Sequence, residues 1–137
     1  MSGDAGAADK EVVRRYVDAF NRGDMEAMQD LFTPDAIVYG VLGFGGLDKV
    51  IPIWRQLHEG VAAHLTIEEI IGEGDRIAVR YLERGKSVGT FLGNAPTGKT
   101  YEIVAMEWFV MKDGHIHKRW GARDSAAMAR QMGLTVS

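Results

Sequence analysis

Two carboxylates late in the chain, Glu107 and Asp124, with Arg123 beside the second, are the residues whose types and placement could move protons. Glu107 stands in a run otherwise made of Ile103, Val104, Ala105, Met106, Trp108, Phe109, Val110 and Met111. A carboxyl in such company either pairs with a cation, Arg80 or Arg119, or has its pKa raised towards the range of a general acid or base. For Asp124 the ordinary alternatives are a negative charge at the start of the last helix or an ion pair with Arg123. Arg123 in turn could steady negative charge on a substrate oxygen. The aromatics Tyr39, Trp54, Trp108 and Trp120, with Met106 and Met111, suit the walls of a flat-ring pocket, although core packing claims part of the set.

Other chemistries fall away. The chain has no cysteine, which excludes disulfides, zinc fingers and a thiol nucleophile. His115 and His117 share a strand face, but a catalytic metal site needs a third protein ligand and none has a geometric claim, so no metal is expected. His58 and His64 read as helix-end and strand-start residues. The glycine-rich pieces match neither the GxxxxGK[ST] nor the strand-borne GxGxxG pattern, so phosphate binding is unsupported.

The elements that must hold these residues follow from periodicity. Asp9 is placed to cap a helix bearing Val12, Val13, Tyr16, Val17 and Phe20 at helical spacing, with Gly23 as its stop. Asp24 caps a shorter helix with Met28, Leu31 and Phe32 on its buried side, ended by Thr33-Pro34. Residues 36–41 read as a strand. A glycine-punctuated loop follows, then a helix starting near Asp48 or Lys49 with Pro52 in its first turn. From Leu65 onward the period is two. Leu65 to Ile71 and Ile77 to Leu82 form a hairpin, and residues 93–98 make a second connection. A strand from Thr100 to Met111 then turns at Asp113-Gly114 into another at His115 to Arg123. Ser125 caps a last short helix stopped by Gly133. With a bulge-free turn, Glu107 lies opposite Trp120 and Ile103 opposite Asp124. The two acids then share a face but stand roughly 13 Å apart, too far to share a proton.

Helices first and antiparallel strands afterwards predict one α+β domain over residues 9–137, after a flexible tail at 1–8. Apolar residues at 46% and charged residues at 26% are those of an ordinary globular domain. A net charge of −3 leaves no basic footprint for nucleic acid or anionic lipid, and no stretch is apolar enough for a signal peptide or a membrane span. A cytoplasmic protein is expected.

Particular residues narrow the reading. The run Gly89-Thr90-Phe91-Leu92-Gly93-Asn94-Ala95-Pro96-Thr97-Gly98-Lys99, the Asp113-Gly114 hairpin, and Trp120 to Asp124 followed by Arg130-Gln131-Met132-Gly133 resemble SnoaL-like polyketide cyclases of the NTF2-like superfamily. Tyr16 to Asp24 is similar too. The resemblance implies a cone-shaped α+β barrel, a curved antiparallel sheet packed against about three helices, with a ligand site in its mouth. It also implies an aromatic polyketide or similar polycyclic substrate, cofactor-independent chemistry and a homodimer. The family's acid/base aspartate falls on Gly121 and a facing histidine on Glu107, while a further histidine falls near Ser87. Family position therefore leaves Asp124 as proton carrier, with Glu107 and Arg123 steadying charge. These departures favour the branch that hydroxylates anthracycline-type rings beside a nicotinamide-dependent reductase. Intramolecular aldol cyclisation and a non-catalytic ligand-binding module are the alternatives.

Overall fold

The computed structural model describes residues 2–40 and 43–135. Its elements run α1 (Ser2–Arg22), α2 (Met25–Asp30), β1 (Phe32–Gly40), β2 (Gly43–Gly45), α3 (Leu47–Val61), β3 (His64–Glu73), β4 (Arg76–Lys86), β5 (Thr100–Lys112), β6 (His115–Arg123) and α4 (Ser125–Met132). The strands form one six-stranded sheet in the order β2-β1-β6-β5-β4-β3. The pairings are antiparallel, as expected, except β1 with β6, which is parallel. The parallel partners are distant in sequence, as parallel pairing requires.

Alternation along the strands decides what faces the core. Ile77, Val79, Tyr81 and Glu83 of β4, and Tyr101, Ile103, Ala105, Phe109 and Met111 of β5, are buried on one face. α1 and α3 cover that face with Val13, Tyr16, Val17, Phe20, Val50, Trp54 and Leu57. On the opposite face Ile71, Val104, Met106, Trp108 and Trp120 remain exposed.

Several boundaries depart from the local reading. α1 starts at Ser2, so Asp9 lies inside the helix rather than at its cap, and the segment expected as a tail is helical from residue 2. The alanines at 5, 7 and 8 favour this extension. Asp24 does cap α2, accepting from the Ala27 amide at 3.0 Å. α2 ends at Asp30, however, and Phe32 opens β1 instead of closing the helix. β1 has a register irregularity between Phe32 and Ile37, where Pro34 cannot donate to a ladder. The expected end of this strand at Val41 lies outside the described residues. Part of the glycine-rich loop forms β2, which was not anticipated. Pro52 sits in the second turn of α3, one turn deeper than expected. It is exposed, so water can satisfy the carbonyl its missing N–H leaves free.

The hairpin between β5 and β6 matters most for the site. Asp113 and Gly114 both have positive φ, 52° and 76°, the conformation of a tight two-residue turn with strand-matched twist. Lys112 pairs with His115 and Met111 with Ile116, but Val110 pairs with Lys118, leaving His117 as an extra residue. The His117 ring is engaged instead with the Thr33 hydroxyl at 2.9 Å, beside the irregular start of β1. This bulge reverses the phase of everything after it. Glu107 lies opposite Gly121, not Trp120, and Trp120 pairs with Trp108.

Candidate functional site

Arg119, Gly121 and Arg123 are thereby turned onto the face that carries Glu107 and Glu83, and together they line a cavity between the sheet and the helices. Its apolar wall includes Phe20 of α1, Val38 of β1, Trp54 and Leu57 of α3 and Leu65 of β3. Asn21 ties α1 to that end of the sheet by bonding both the amide and the carbonyl of Leu65, each at 2.9 Å. The free volume is about 80 Å³. Sites that enclose a drug-sized ligand run to roughly 300–1,000 Å³, so this one seats the end of a ring system rather than a whole polycycle.

Two ion-pair clusters stand in the wall. In the first, Glu107 accepts from the Tyr16 hydroxyl at 2.9 Å and the Tyr81 hydroxyl at 2.7 Å, and faces Arg119 Nη1 at 3.2 Å. The Arg119 guanidinium also lies 5.8 Å from the centre of the Trp54 ring, within cation–π range. In the second, Glu83 accepts from Tyr101 at 2.5 Å and from Arg123. Glu83 and Arg119 are only 2% and 6% exposed, so pairing is what makes their burial tolerable. Among the described residues, Nε of both Arg119 and Arg123 is buried without a partner. The cavity wall therefore holds two arginines, each paired with a carboxylate that a phenol also occupies.

Burial, reinforced by the neighbouring Glu107, holds the Tyr16 and Tyr81 hydroxyls well above the ordinary phenol pKa. Burial also raises Tyr101. All three act as neutral donors near neutral pH. Burial lowers Arg123 to about 10, which leaves it charged at neutral pH. For Arg119 burial pulls down, but Tyr16, Glu107 and Tyr81 outweigh it and the net direction is up.

Of the residues singled out from the sequence, Glu107, Arg123 and Trp54 meet at this cavity. Glu107 is held by Arg119, whereas Arg80 pairs on the surface with Glu68 at 2.7 Å. Asp124 stands apart from this cavity: it is exposed and caps α4 by accepting from the Ala127 amide at 3.0 Å, the role expected of Ser125. Tyr39, Trp108 and Trp120 do not line this cavity, because the bulge and strand alternation put them on the outer face, where Met106, Trp108 and Trp120 border a second recess. There Tyr39 stacks between Trp120, at 5.1 Å, and Phe44, at 5.6 Å. Met106 borders the cavity, yet by alternation it belongs to the outer face and is 53% exposed. Missed from the sequence were Tyr16, Tyr81, Glu83 and Tyr101. Glu83 had a usable signal, since it continues the period-two series Ile77, Val79, Tyr81.

The fold is an NTF2-like α+β cone whose helices and curved sheet enclose a cavity. Within that class the chain belongs to the family of SnoaL-like polyketide cyclases, whose model matches residues 10–132. The chain is 28% identical over 126 residues to aklanonic acid methyl ester cyclase AcmA of Streptomyces galilaeus, with 88% of each chain covered. Among solved structures it superposes on IdmH of Streptomyces antibioticus, a proposed polyketide cyclase, with a TM-score of 0.81. That match has 24% identity and covers 92% of this chain and 99% of the other. It superposes on AclR of Streptomyces galilaeus, a proposed hydroxylase, with a TM-score of 0.84 at 22% identity, covering 93% and 96%.

Proposed function

We propose that the protein is a cofactor-independent tailoring enzyme that binds an aromatic polyketide through an ionised phenol or enol and promotes its hydroxylation, with a nicotinamide-dependent reductase supplying the reduced ring. The observation that carries this reading is the character of the cavity's polar groups. Both carboxylates, Glu83 and Glu107, are occupied by arginines and tyrosines, while the arginines keep unpartnered buried Nε donors. Such a wall suits the stabilisation of an oxyanion better than abstraction of a proton from carbon, which needs an unoccupied base. Phe20 and Trp54, the latter beside the Arg119 guanidinium, offer a ring apolar surface in the same cavity.

In this reading the reduced, hydroquinone form of the substrate is the reductant. Held as its anion, it reacts with dioxygen at a ring carbon. One oxygen atom replaces the hydrogen there, the other leaves as water, and the ring returns to the quinone level. Hydroquinone plus dioxygen thus gives hydroxyquinone plus water, and the nicotinamide reductase restores the two electrons. The protein binds the ring, fixes the charge and limits access of bulk water. The likeness to a hydroxylase fold neighbour adds weight to this branch. Aldol cyclisation is the second reading, favoured by the similarity to AcmA across 88% of both chains. We further propose a homodimer formed through the outer sheet face, where Met106, Trp108 and Trp120 lie exposed.

The test is aerobic incubation of the purified protein with an anthracycline-type intermediate, with and without a quinone reductase and reduced nicotinamide, followed by product mass. A gain of one oxygen that requires both proteins is expected. An isomer of unchanged mass would replace hydroxylation by cyclisation, and tight binding without any product would make the domain a ligand carrier.

A further inference from the structure

On the inner face of β6 a glycine stands between the buried Arg119 and the half-buried Arg123, and its backbone does not explain it. Gly121 is not among the residues with positive φ, so an alanine could adopt its conformation. Space does explain it. A Cβ built on Gly121 overlaps Nη1 of Arg119 and lies 3.2 Å from its Cζ, and the next nearest atom is Glu107 Oε2 at an ordinary 3.6 Å. The atoms met belong to the far end of the Arg119 side chain, which borders the cavity, so a Cβ here is accommodated by moving the guanidinium out of its seat beside the Trp54 ring and 3.2 Å from Glu107.

We infer that Gly121 is a positioning and specificity-determining residue: the space it leaves seats the Arg119 guanidinium beside Glu107, and this makes the cavity select an ionised phenolic or enolic ligand over its neutral form. The inference deepens the proposed function and rests on its choice of ligand. The charged and titratable groups facing the seat are Glu107, Tyr16 and Tyr81 on one side and Arg123 and Glu83 on the other, with Tyr101 donating to Glu83. Through the neutral range the tyrosines and arginines keep their protons.

The experiment is a spectrophotometric titration of alizarin, a hydroxyanthraquinone whose visible colour reports loss of its phenolic proton, bound to the full chain. The native protein is expected to lower the apparent pKa of the bound dye relative to free dye. Gly121→Ala should lose roughly tenfold of that preference, about one pH unit. Arg119→Met should lose a similar amount, and the double variant no more than either alone, because both changes remove one interaction. A Gly121→Ala protein that binds the dye with the native pKa shift overturns the inference. So does native protein that binds the dye without a shift, or not at all. Neither outcome depends on the product-mass test, which can fail while the dye shift stands. If Gly121→Ala does not fold, it is remade in the Arg119→Met background. There it should fold and melt with Arg119→Met itself, since only the guanidinium occupies the space, and a double variant that still fails to fold refutes the argument.

Discussion

Glu107→Gln is the sharpest perturbation of the site, because it keeps the side chain's size and removes its charge. In the folded protein the Glu107 carboxylate and the Arg119 guanidinium are 11% and 8% exposed, so solvent screening discounts their interaction little. Glutamine strands the guanidinium without its counter-ion, and removing one partner of such a buried pair costs about 3–5 kcal/mol. The two phenols lose less. A hydroxyl can turn from donor to acceptor, so the Tyr16 and Tyr81 contacts at 2.9 and 2.7 Å are weakened by roughly 1 kcal/mol in total rather than abolished.

The expected loss is therefore ~5 kcal/mol, which for a domain of this size lowers the melting temperature by roughly 10–25 °C. Urea denaturation followed by circular dichroism measures the first figure and a thermal melt the second. Glu102→Gln is the internal control. Its pair with Arg84 at 2.8 Å has exposed partners, 63% and 58%, and its loss should stay within about 1 kcal/mol. In the double variant Glu107→Gln, Arg119→Met, no stranded charge remains, so the double should cost at least about 2 kcal/mol less than the sum of the singles. A Glu107→Gln loss no larger than that of Glu102→Gln, or strict additivity in the cycle, refutes the paired-cluster reading.

Asp124→Ala should cost about 1 kcal/mol through the lost α4 cap and leave turnover unchanged, with Asp124→Asn restoring stability; melting curves and steady-state rates check it, and a fall in turnover with the cap restored would return Asp124 to the chemistry. Stability should fall steeply above pH 10. Tyr16, Tyr81 and Tyr101 have folded pKa values above the unfolded 10.0, so the folded state keeps protons that the unfolded state releases, and stability present below pH 10 is lost as pH rises. Arg123, lowered to about 10 from 12.5, acts oppositely as one group, so three tyrosines less one arginine leave two protons and a slope of ~3 kcal/mol per pH unit. Urea midpoints at pH 9, 10 and 11 (roughly, within the range these shifts define) test this, and a flat or rising profile contradicts the assigned shifts. On the outer face, Trp108→Glu should convert a sedimenting dimer to monomer without altering dye binding, whereas an unchanged sedimentation coefficient removes that face as the interface.

The register of β6 shows what could and could not be read from local sequence. The boundaries of β6, His115 to Arg123, and the turn before it were legible because Asp113-Gly114 is a local signal with a local cause. The phase of the strand was not. It is set by an extra residue, His117, that engages Thr33 at the irregular start of β1, more than eighty positions away in the chain. One residue of slip exchanged every side chain between the faces, moving Trp120 out and Arg119 and Arg123 in. Hydrophobic alternation could not decide between the phases, because the bulge-free reading puts Trp120 with the core and looks the more apolar of the two.

Charge pairing does decide. The inward series of β4 and β5 carries Glu83 and Glu107, and two carboxylates buried on one face require cations nearby. The bulge-free phase would add Lys118 and a third acid, Asp124, to that face. The bulged phase adds Arg119 and Arg123, one for each carboxylate, and that is the arrangement observed. Balancing inward charges across neighbouring strands therefore selects the register from sequence where apolar patterning fails. It also points to the two residue pairs in the cavity wall, since the same balance that permits the carboxylates to be buried brings the arginines to the cavity.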